Sequence, residues 1–104
     1  MSVLIEFSMF PLDMGVSLSE PISELIEMIS KCGLPYRLTA MGTIIETKQI
    51  NEALALVEKA YHLLDNLGSK RVYASIKLDI RKDRDNRLTG KIDSIQSIIG
   101  KVDT

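Results

Sequence analysis

Leu4-Ile5-Glu6-Phe7-Ser8-Met9-Phe10, near the start of the chain, alternates apolar side chains with a mixed set of polar and apolar ones. Successive side chains of a β-strand point to opposite faces of its sheet, so this stretch predicts a strand with one fully apolar face. The opposite face carries Glu6 and Ser8. We therefore expect a sheet with one face packed on a core and one face that carries polar groups.

Residues 72–80 repeat this alternation near the end of the chain, with apolar side chains at every second position. If the two strands are neighbours, six groups that can form hydrogen bonds share one surface. They are Glu6, Ser8, Tyr73, Ser75, Lys77 and Asp79. Residues of these types suit a small polar ligand or an ordered subunit interface.

Glu6 and Lys77 are the most specific pair on this surface. On neighbouring antiparallel strands of suitable register, the two side chains lie within reach of an ion pair. Two interpretations stay open: a structural salt bridge, or hydrogen bonds to a ligand at a subunit interface. Burying such charges is costly unless they are paired, so either interpretation gives the pair a role.

Helical spacing and turn residues define the first helix. Ser17-Leu18-Ser19-Glu20 has the spacing of a capping box, Pro21 fits the first turn, and Gly33 fits the end. The apolar stripe that predicts the helix consists of Ile22, Leu25, Ile26 and Ile29.

Two short strands and a second helix follow. The strands are predicted at residues 36–40 and 43–47, joined near Met41 and Gly42. Asn51 is the expected N-cap of the second helix, and Gly68 is its expected end. The predicted apolar stripe of this helix is Leu54, Val57, Ala60, Tyr61, Leu64 and Leu67.

The predicted order is β-α-β-β-α-β followed by a short helix, which is the split βαβ, or ferredoxin-like, α+β arrangement. Its antiparallel sheet has the strand order 4-1-3-2, which places the last strand beside the first. We expect one ferredoxin-like domain over residues 1–104, with residues 90–104 as a C-terminal tail helix. The open face also carries apolar residues, so we expect a second subunit to cover it. These residues are Leu4, Phe10, Ile44 and Tyr73.

Composition excludes several functions. A net charge of −1 gives no reason to expect a nucleic-acid or membrane partner. A single cysteine, Cys32, excludes an internal disulfide and a cysteine-based metal cluster, and the lone His62 has no visible catalytic partner. We therefore expect no metal, no cofactor and no enzymatic activity. The start of the chain lacks a signal-peptide pattern, so a cytoplasmic location is expected.

Met41-Gly42-Thr43 marks the start of the third strand. Gly42 permits a tight turn or a close backbone approach, and Thr43 offers a hydroxyl near the end of the sheet. By alternation, Glu46 should face the open side together with Glu6. Two or three carboxylates on one surface favour a cationic ligand.

Five stretches of the chain carry a family pattern. They are Glu6-Phe7-Ser8-Met9-Phe10-Pro11, Gly33-Leu34-Pro35-Tyr36, Ala40-Met41-Gly42-Thr43-Ile44-Ile45-Glu46, Arg71-Val72-Tyr73 and Lys77-Leu78-Asp79-Ile80-Arg81. In this order, over roughly residues 3–85, they resemble the thiamine-binding-protein family of small ferredoxin-like proteins. Family members often have glycine directly after the glutamate of the third stretch, where this chain has Thr47.

The resemblance implies a cytoplasmic, non-enzymatic protein that forms dimers through its sheet and often tetramers. Some members of the family bind thiamine or its hydroxymethylpyrimidine part. Thiamine joins a cationic thiazolium ring to an aminopyrimidine with donor and acceptor edges. The resemblance therefore implies carboxylates that offset the charge, hydroxyls that bond the pyrimidine and an aromatic ring that stacks.

The residues of this chain that fit these roles are Glu6, Glu46 and Asp79 for the charge, Ser8, Thr43 and Ser75 for the pyrimidine, Tyr73 for stacking, and Lys77 for a hydrogen bond. We expect a homo-oligomeric protein, a dimer or a tetramer, that binds thiamine or a related pyrimidine at the open face near the subunit interface. The alternative is a structural or interaction module with no small-molecule ligand.

Overall fold

A computed structural model of the protein describes residues 1–16 and 18–104. Seven elements follow one another along the chain: β1 (Ser2–Pro11), α1 (Ser19–Lys31), β2 (Tyr36–Thr39), β3 (Gly42–Thr47), α2 (Ile50–Asn66), β4 (Val72–Arg81) and α3 (Arg87–Ile99). The four strands form one antiparallel sheet in the order β2-β3-β1-β4. This is the predicted 4-1-3-2 order seen from the other edge, and the ferredoxin-like α+β fold is confirmed.

β1 lies in the middle of the sheet, and its alternation decides what is buried. Ile5 and Phe7 face α1 and α2, whereas Glu6 and Ser8 between them face the other side. The apolar face of β1 packs on both helices and on β3, because these elements also turn apolar side chains inward. The core consists of Val3, Ile5, Phe7, Met9, Leu25, Ile29, Ile45, Ala53, Leu56, Ala60 and Leu64.

Individual residues at its two ends determine where α1 begins and ends. Leu18 precedes its first residue, and Pro21 lies buried in its first turn, as predicted. The expected capping residue, Ser17, lies outside the described residues. After α1, Gly33 adopts a positive φ of 80°, which ends the helix because other residues rarely adopt that backbone conformation.

The predicted start of α2 was wrong. The helix begins at Ile50 after Gln49, whose backbone N–H donates to Oε1 of Glu52 at 2.9 Å, so Asn51 lies inside the first turn. The predicted apolar stripe of α2 was also partly wrong, because Leu54, Tyr61 and Leu67 are exposed. The buried face is Ala53, Leu56, Ala60 and Leu64.

β4 lies at one edge of the sheet and pairs with β1 over its whole length, from Ser2 opposite Arg81 to Pro11 opposite Val72. The apolar side chains of β4 lie on the helix side, but they are not fully covered, because α1 and α2 lie mainly over the other strands. Three of them are two-fifths exposed: Ile76 (43%), Leu78 (40%) and Ile80 (43%). We call these three residues the β4 apolar row.

α3 packs against the open face, where no helix was expected. It contacts β1 and β3 near Glu46, which lies opposite Leu4 in the register of the sheet. The helix begins at Arg87 and not near residue 90. None of its residues is buried, and Ile98 and Ile99 are largely exposed. The open face is therefore covered at one end and bare at the other. Within residues 1–16 and 18–104, no helix is long and apolar enough to cross a membrane.

Candidate functional site

The predicted polar surface exists as one face of two paired strands. Glu6 lies opposite Lys77, and Ser8 lies opposite Ser75. Oε1 of Glu6 and Nζ of Lys77 are 3.9 Å apart, and the lysine side chain is 81% exposed. An exposed pair of this kind contributes at most about 1 kcal/mol, so its energetic value to the single subunit is small.

The aromatic residues of the open face lie at its bare end. Phe10 is opposite Tyr73, and their ring centroids are 5.6 Å apart with an angle of 38° between the ring planes. This geometry is within the range of favourable aromatic pairs. The phenol ring of Tyr73 thus has one partner inside the subunit and remains largely exposed.

Glu46 is not on the bare part of the open face, because α3 covers it. The residue is 9% exposed, and its carboxylate accepts three hydrogen bonds. They come from the Ser2 hydroxyl at 2.6 Å, the Arg87 backbone N–H at 2.9 Å and the Leu88 backbone N–H at 3.1 Å. The last two donors belong to the first turn of α3, so Glu46 caps this helix from a neighbouring strand.

Opposing effects act on the pKa of Glu46. Burial alone would raise it, but the three hydrogen bonds and the nearby Arg87 guanidinium together lower the pKa below its ordinary value. The carboxylate is therefore charged at neutral pH and has satisfied bonding partners.

The Arg87 side chain connects α3 to β1 and β4. Its guanidinium donates to the backbone oxygen of Ser2 at 2.8 Å and to the backbone oxygen of Asp79 at 2.6 Å, and it lies 3.0 Å from Oδ1 of Asp79. This side chain is 12% exposed. The structure thus places Glu46 and Asp79, two of the predicted ligand carboxylates, in contacts that hold α3 on the sheet.

A cleft of about 460 Å³ lies between α1 and the turn that joins β2 to β3. We call it the apolar cleft, because its exposed surface is predominantly nonpolar. Its lining combines the ends of β1 and β3, the turn and one face of α1. The lining residues are Phe7, Ser8, Met9, Phe10, Leu18, Ile22, Leu25, Ile26, Ile29, Leu38, Thr39, Ala40, Met41, Gly42 and Thr43.

Thr43 is the polar group of interest in the apolar cleft. It lies opposite Phe7 in the sheet and is 5% exposed. No hydrogen bond joins its hydroxyl to another residue that the structure describes. Among the described residues, no fully buried polar side-chain atom lacks a partner, so this oxygen keeps a small exposed area, and the residue lines the cleft. An accessible hydroxyl with no protein partner can bond a ligand.

The wall of the cleft beside Thr43 is held in place by the turn. The Thr39 hydroxyl donates to the backbone oxygen of Gly42 at 2.7 Å and accepts the backbone N–H of Met41 at 3.2 Å. A Cβ atom at Gly42 would lie 3.2 Å from the backbone oxygen of Phe7. The glycine predicted for a close backbone approach therefore does allow β3 to start directly against β1.

The predicted site residues thus separate into three groups. Thr43 lines the apolar cleft, and Ser8 borders it while its side chain lies on the open face. Glu46 and Asp79 contact α3 or its first residue, and the rest lie together on the open face. That last group is Glu6, Tyr73, Ser75 and Lys77.

Sequence reasoning missed the apolar half of the cleft. Leu38 and Met41 flank the β2–β3 turn and stay mostly exposed, which an apolar pair beside a turn glycine could have signalled. Thr47, the departure from the family pattern, continues β3 opposite Val3, and its hydroxyl donates to the backbone oxygen of Gln49 at 2.9 Å.

A second cleft, of about 740 Å³, opens at the other end of the central strands, beside Met1, Thr47 and Asp85. Its acidic groups are already engaged: Oδ1 of Asp85 lies 3.2 Å from the amino group of Met1, Glu52 caps α2, and Glu46 accepts bonds from the start of α3. The apolar cleft is therefore the better candidate for a ligand. In the described part of the chain, no three His, Cys, Asp or Glu side chains form a group that could hold a metal ion.

A four-stranded antiparallel sheet with two helices on one face is the architecture of small ferredoxin-like domains. Solved structures of similar proteins have the same fold. The crystal structure of a hypothetical protein from Methanocaldococcus jannaschii superimposes with a TM-score of 0.77 at 33% identity, covering 93% of this chain and 98% of that one. A Thermotoga maritima protein whose description names thiamine biosynthesis or salvage has a TM-score of 0.78 at 21% identity, over 91% of this chain and 99% of its own, and so shows the shared fold alone.

Sequence comparison gives the family. Residues 5–96 match the family model described as thiamine-binding protein, and the chain belongs to that family. Curated relatives carry the name UPF0045 protein: one from Methanothermobacter thermautotrophicus is 32% identical over 95 residues, which is 90% of this chain and 96% of the relative. Another, from Mycobacterium tuberculosis, is 34% identical over 96 residues, covering 92% and 93%.

Proposed function

We propose that this protein is a cytoplasmic, non-enzymatic, homo-oligomeric binding protein, a dimer or a tetramer, for thiamine or a related pyrimidine, and that the pyrimidine ring binds in the apolar cleft. The observation that carries the proposal is the accessible Thr43 hydroxyl, with no described protein partner, inside an otherwise apolar cleft. Membership of the thiamine-binding protein family supports the ligand class.

The size and chemistry of the cleft suit a flat heterocycle. Its volume of about 460 Å³ lies in the usual range for small-molecule sites, roughly 300–1,000 Å³. Apolar side chains from α1 and β1 can cover the faces of a ring, while the Thr43 hydroxyl can bond one edge. A few polar groups in an apolar lining fix the orientation of a ligand and exclude water.

The charge of the lining favours the neutral part of thiamine. None of the described residues that line the apolar cleft is ionisable. A permanent cation loses hydration on entering such a site with no carboxylate to offset the loss. The aminopyrimidine therefore enters the cleft, and the cationic thiazolium ring stays outside it.

The open face is the second candidate location, because it carries Glu6, Tyr73, Ser75, Lys77 and, at its margin, Asp79. Carboxylates and an aromatic ring on one surface suit the cationic half of thiamine. In the same surface, the alternative function, an interaction module without a ligand, would use these groups to contact a second subunit. Matched substitutions in the two places decide between these locations.

Isothermal titration with thiamine, and separately with its neutral pyrimidine fragment, tests the proposal. Thr43→Val removes the hydroxyl and keeps the shape of the side chain, so we expect the fold to persist and affinity to fall roughly 3- to 10-fold, the value of one hydrogen bond. Ser75→Ala, which removes a hydroxyl from the open face, is the matched control and should leave affinity unchanged.

The reverse result, with Ser75→Ala weakening binding and Thr43→Val having no effect, would move the ligand to the open face. Flat titrations of the folded wild-type protein with both compounds would reject the ligand class and leave the interaction module as the function.

A further inference from the structure

Three side chains form a row across the sheet side of the apolar cleft. Thr43 lies opposite Phe7 of β1 and, in the other direction, opposite Leu38 of β2. Directly opposed residues of antiparallel strands turn their side chains to the same face, with Cβ atoms about 4.5–5.5 Å apart. All three residues line the cleft. The Thr43 hydroxyl is therefore a polar group with an apolar side chain on each side of it.

The row runs from the core to the surface. Phe7 and Thr43 are 4% and 5% exposed, whereas Leu38 is 61% exposed. Met41, in the turn after β2, also lines the cleft and is 87% exposed. Its backbone N–H donates to the Thr39 hydroxyl at 3.2 Å, so the turn is held while the methionine side chain stays free. The mouth of the cleft thus offers apolar surface that the subunit itself does not cover.

We propose that this row makes the apolar cleft selective for an alkyl-substituted aminopyrimidine over an oxo-pyrimidine such as cytosine, with Leu38 as the specificity-determining residue. This selectivity rests on the proposed function, because it concerns the same site. A ring that accepts a hydrogen bond from Thr43 has to present a nitrogen with apolar neighbours on both sides, since Phe7 and Leu38 flank the hydroxyl.

The pyrimidine of thiamine has such an edge. One of its ring nitrogens lies between a carbon that bears a methyl group and a carbon that bears only hydrogen. The hydrogen side fits against the buried Phe7, and the bulkier methyl group lies against Leu38, where the cleft is open. Cytosine carries a carbonyl oxygen in place of this methyl group. That oxygen would lose water against Leu38, whose side chain cannot donate a hydrogen bond.

Met41 covers the bound ring from the solvent side. A methionine side chain is unbranched, has three rotatable bonds and makes favourable sulfur contacts with aromatic rings. Sites for small molecules bury most of the surface of their ligand, which this cleft achieves when Met41 turns over its mouth. Binding should therefore remove the Met41 thioether from contact with water.

Isothermal titration with the neutral pyrimidine fragment of thiamine and with cytosine measures the selectivity as a ratio of dissociation constants. We expect the wild type to bind the fragment at least about 10-fold more tightly. Leu38→Asn supplies a donor for the carbonyl, so the ratio should fall roughly 3- to 10-fold. Leu54→Asn is the matched control, because Leu54 is half-exposed on α2 and does not line the cleft, and it should leave the ratio unchanged.

The outcomes separate the selectivity from the proposed function. A wild type that binds both compounds equally well, or a ratio that Leu38→Asn leaves unchanged or that both variants change equally, would overturn the selectivity alone. Flat titrations of the folded wild type with both compounds would reject the proposed function and the selectivity together.

Oxidation of methionine tests the same contact in the unaltered protein, in case Leu38→Asn does not fold. Hydrogen peroxide transfers one oxygen atom to an exposed thioether, which becomes a sulfoxide, and leaves water. Peptide mass spectrometry should show that saturating pyrimidine fragment slows oxidation of Met41 at least about 3-fold, and that cytosine at the same concentration slows it less. Met14, in the loop before α1 and outside the cleft, is the control. An unchanged rate at Met41, or equal slowing at both methionines, would contradict the inference.

Discussion

Glu46→Gln should release α3 from the sheet while the core stays folded. The carboxylate accepts bonds on both oxygens, and two of the donors are the first N–H groups of α3. Glutamine keeps one acceptor oxygen, so at least one charge-assisted bond, about 1.5–3 kcal/mol, is lost and the others weaken. We expect a loss of about 2–4 kcal/mol. Since no residue of α3 is buried, the loss falls mainly on the attachment of this helix.

Amide hydrogen exchange read by mass spectrometry provides the assay. In Glu46→Gln, peptides that cover α3 should exchange faster, while peptides from β1 and α2 keep their protection. Glu52→Gln is the matched control, because glutamine also functions at this position of a capping box and the Glu52 carboxylate accepts its hydrogen bond from Gln49 at the start of α2.

The same contact gives a pH dependence with a defined sign. The pKa of Glu46 is lowered in the folded protein, so its stabilising effect is complete above the ordinary pKa of a glutamate and is lost as the pH falls through the lowered value. Protection of α3 should therefore decrease in acid for the wild type and show no such step in Glu46→Gln. Unchanged exchange of α3 in the variant at neutral pH would refute the reasoning.

Two further predictions concern the apolar cleft and its wall. Gly42→Ala should lower the free energy of unfolding in denaturant by about 1–3 kcal/mol, because the added Cβ lies 3.2 Å from the Phe7 carbonyl oxygen. Gly90→Ala is the control, since its Cβ has no atom within 4 Å, and it should be neutral or slightly stabilising. Equal effects of the two substitutions would contradict the close approach at Gly42. Titration of thiamine, which is a cation, at about 0.05 and about 0.5 M salt should give the same affinity within roughly 2-fold, because no described residue that lines the apolar cleft is ionisable. A steep fall in affinity would indicate a charged site such as Glu6 on the open face.

Local patterns in the sequence were sufficient to predict the sheet. Alternation in β1 and β4 placed Glu6 and Lys77 on one face, and the structure pairs them directly. Gly33 and Gly68 ended the helices where a positive φ is required. The start of α2 was harder to predict, since Gln49 and Asn51 are both polar residues near the same turn, and only the bond from Gln49 to Glu52 distinguishes them.

The candidate site was less predictable because it depends on distant packing. Alternation placed Glu46 on the open side correctly, but the residues that cover it, Arg87 and Leu88, lie more than 40 positions away in the sequence. The apolar cleft depends on how α1 lies over the β2–β3 turn, which no local pattern specifies. The exposure of the β4 apolar row likewise follows from where α2 lies on the sheet.

The central position of β1 has a consequence for the order of folding. β1 pairs with β4 from Ser2 opposite Arg81 to Pro11 opposite Val72, so its second ladder joins residues from nearly opposite ends of the chain. Contacts of such large sequence separation form late, because closing the long loop between them costs entropy. During synthesis, the first three strands and the two main helices can pack together before β4 leaves the ribosome. The β4 apolar row therefore joins the sheet only with this last ladder, so an incomplete chain does not yet present it.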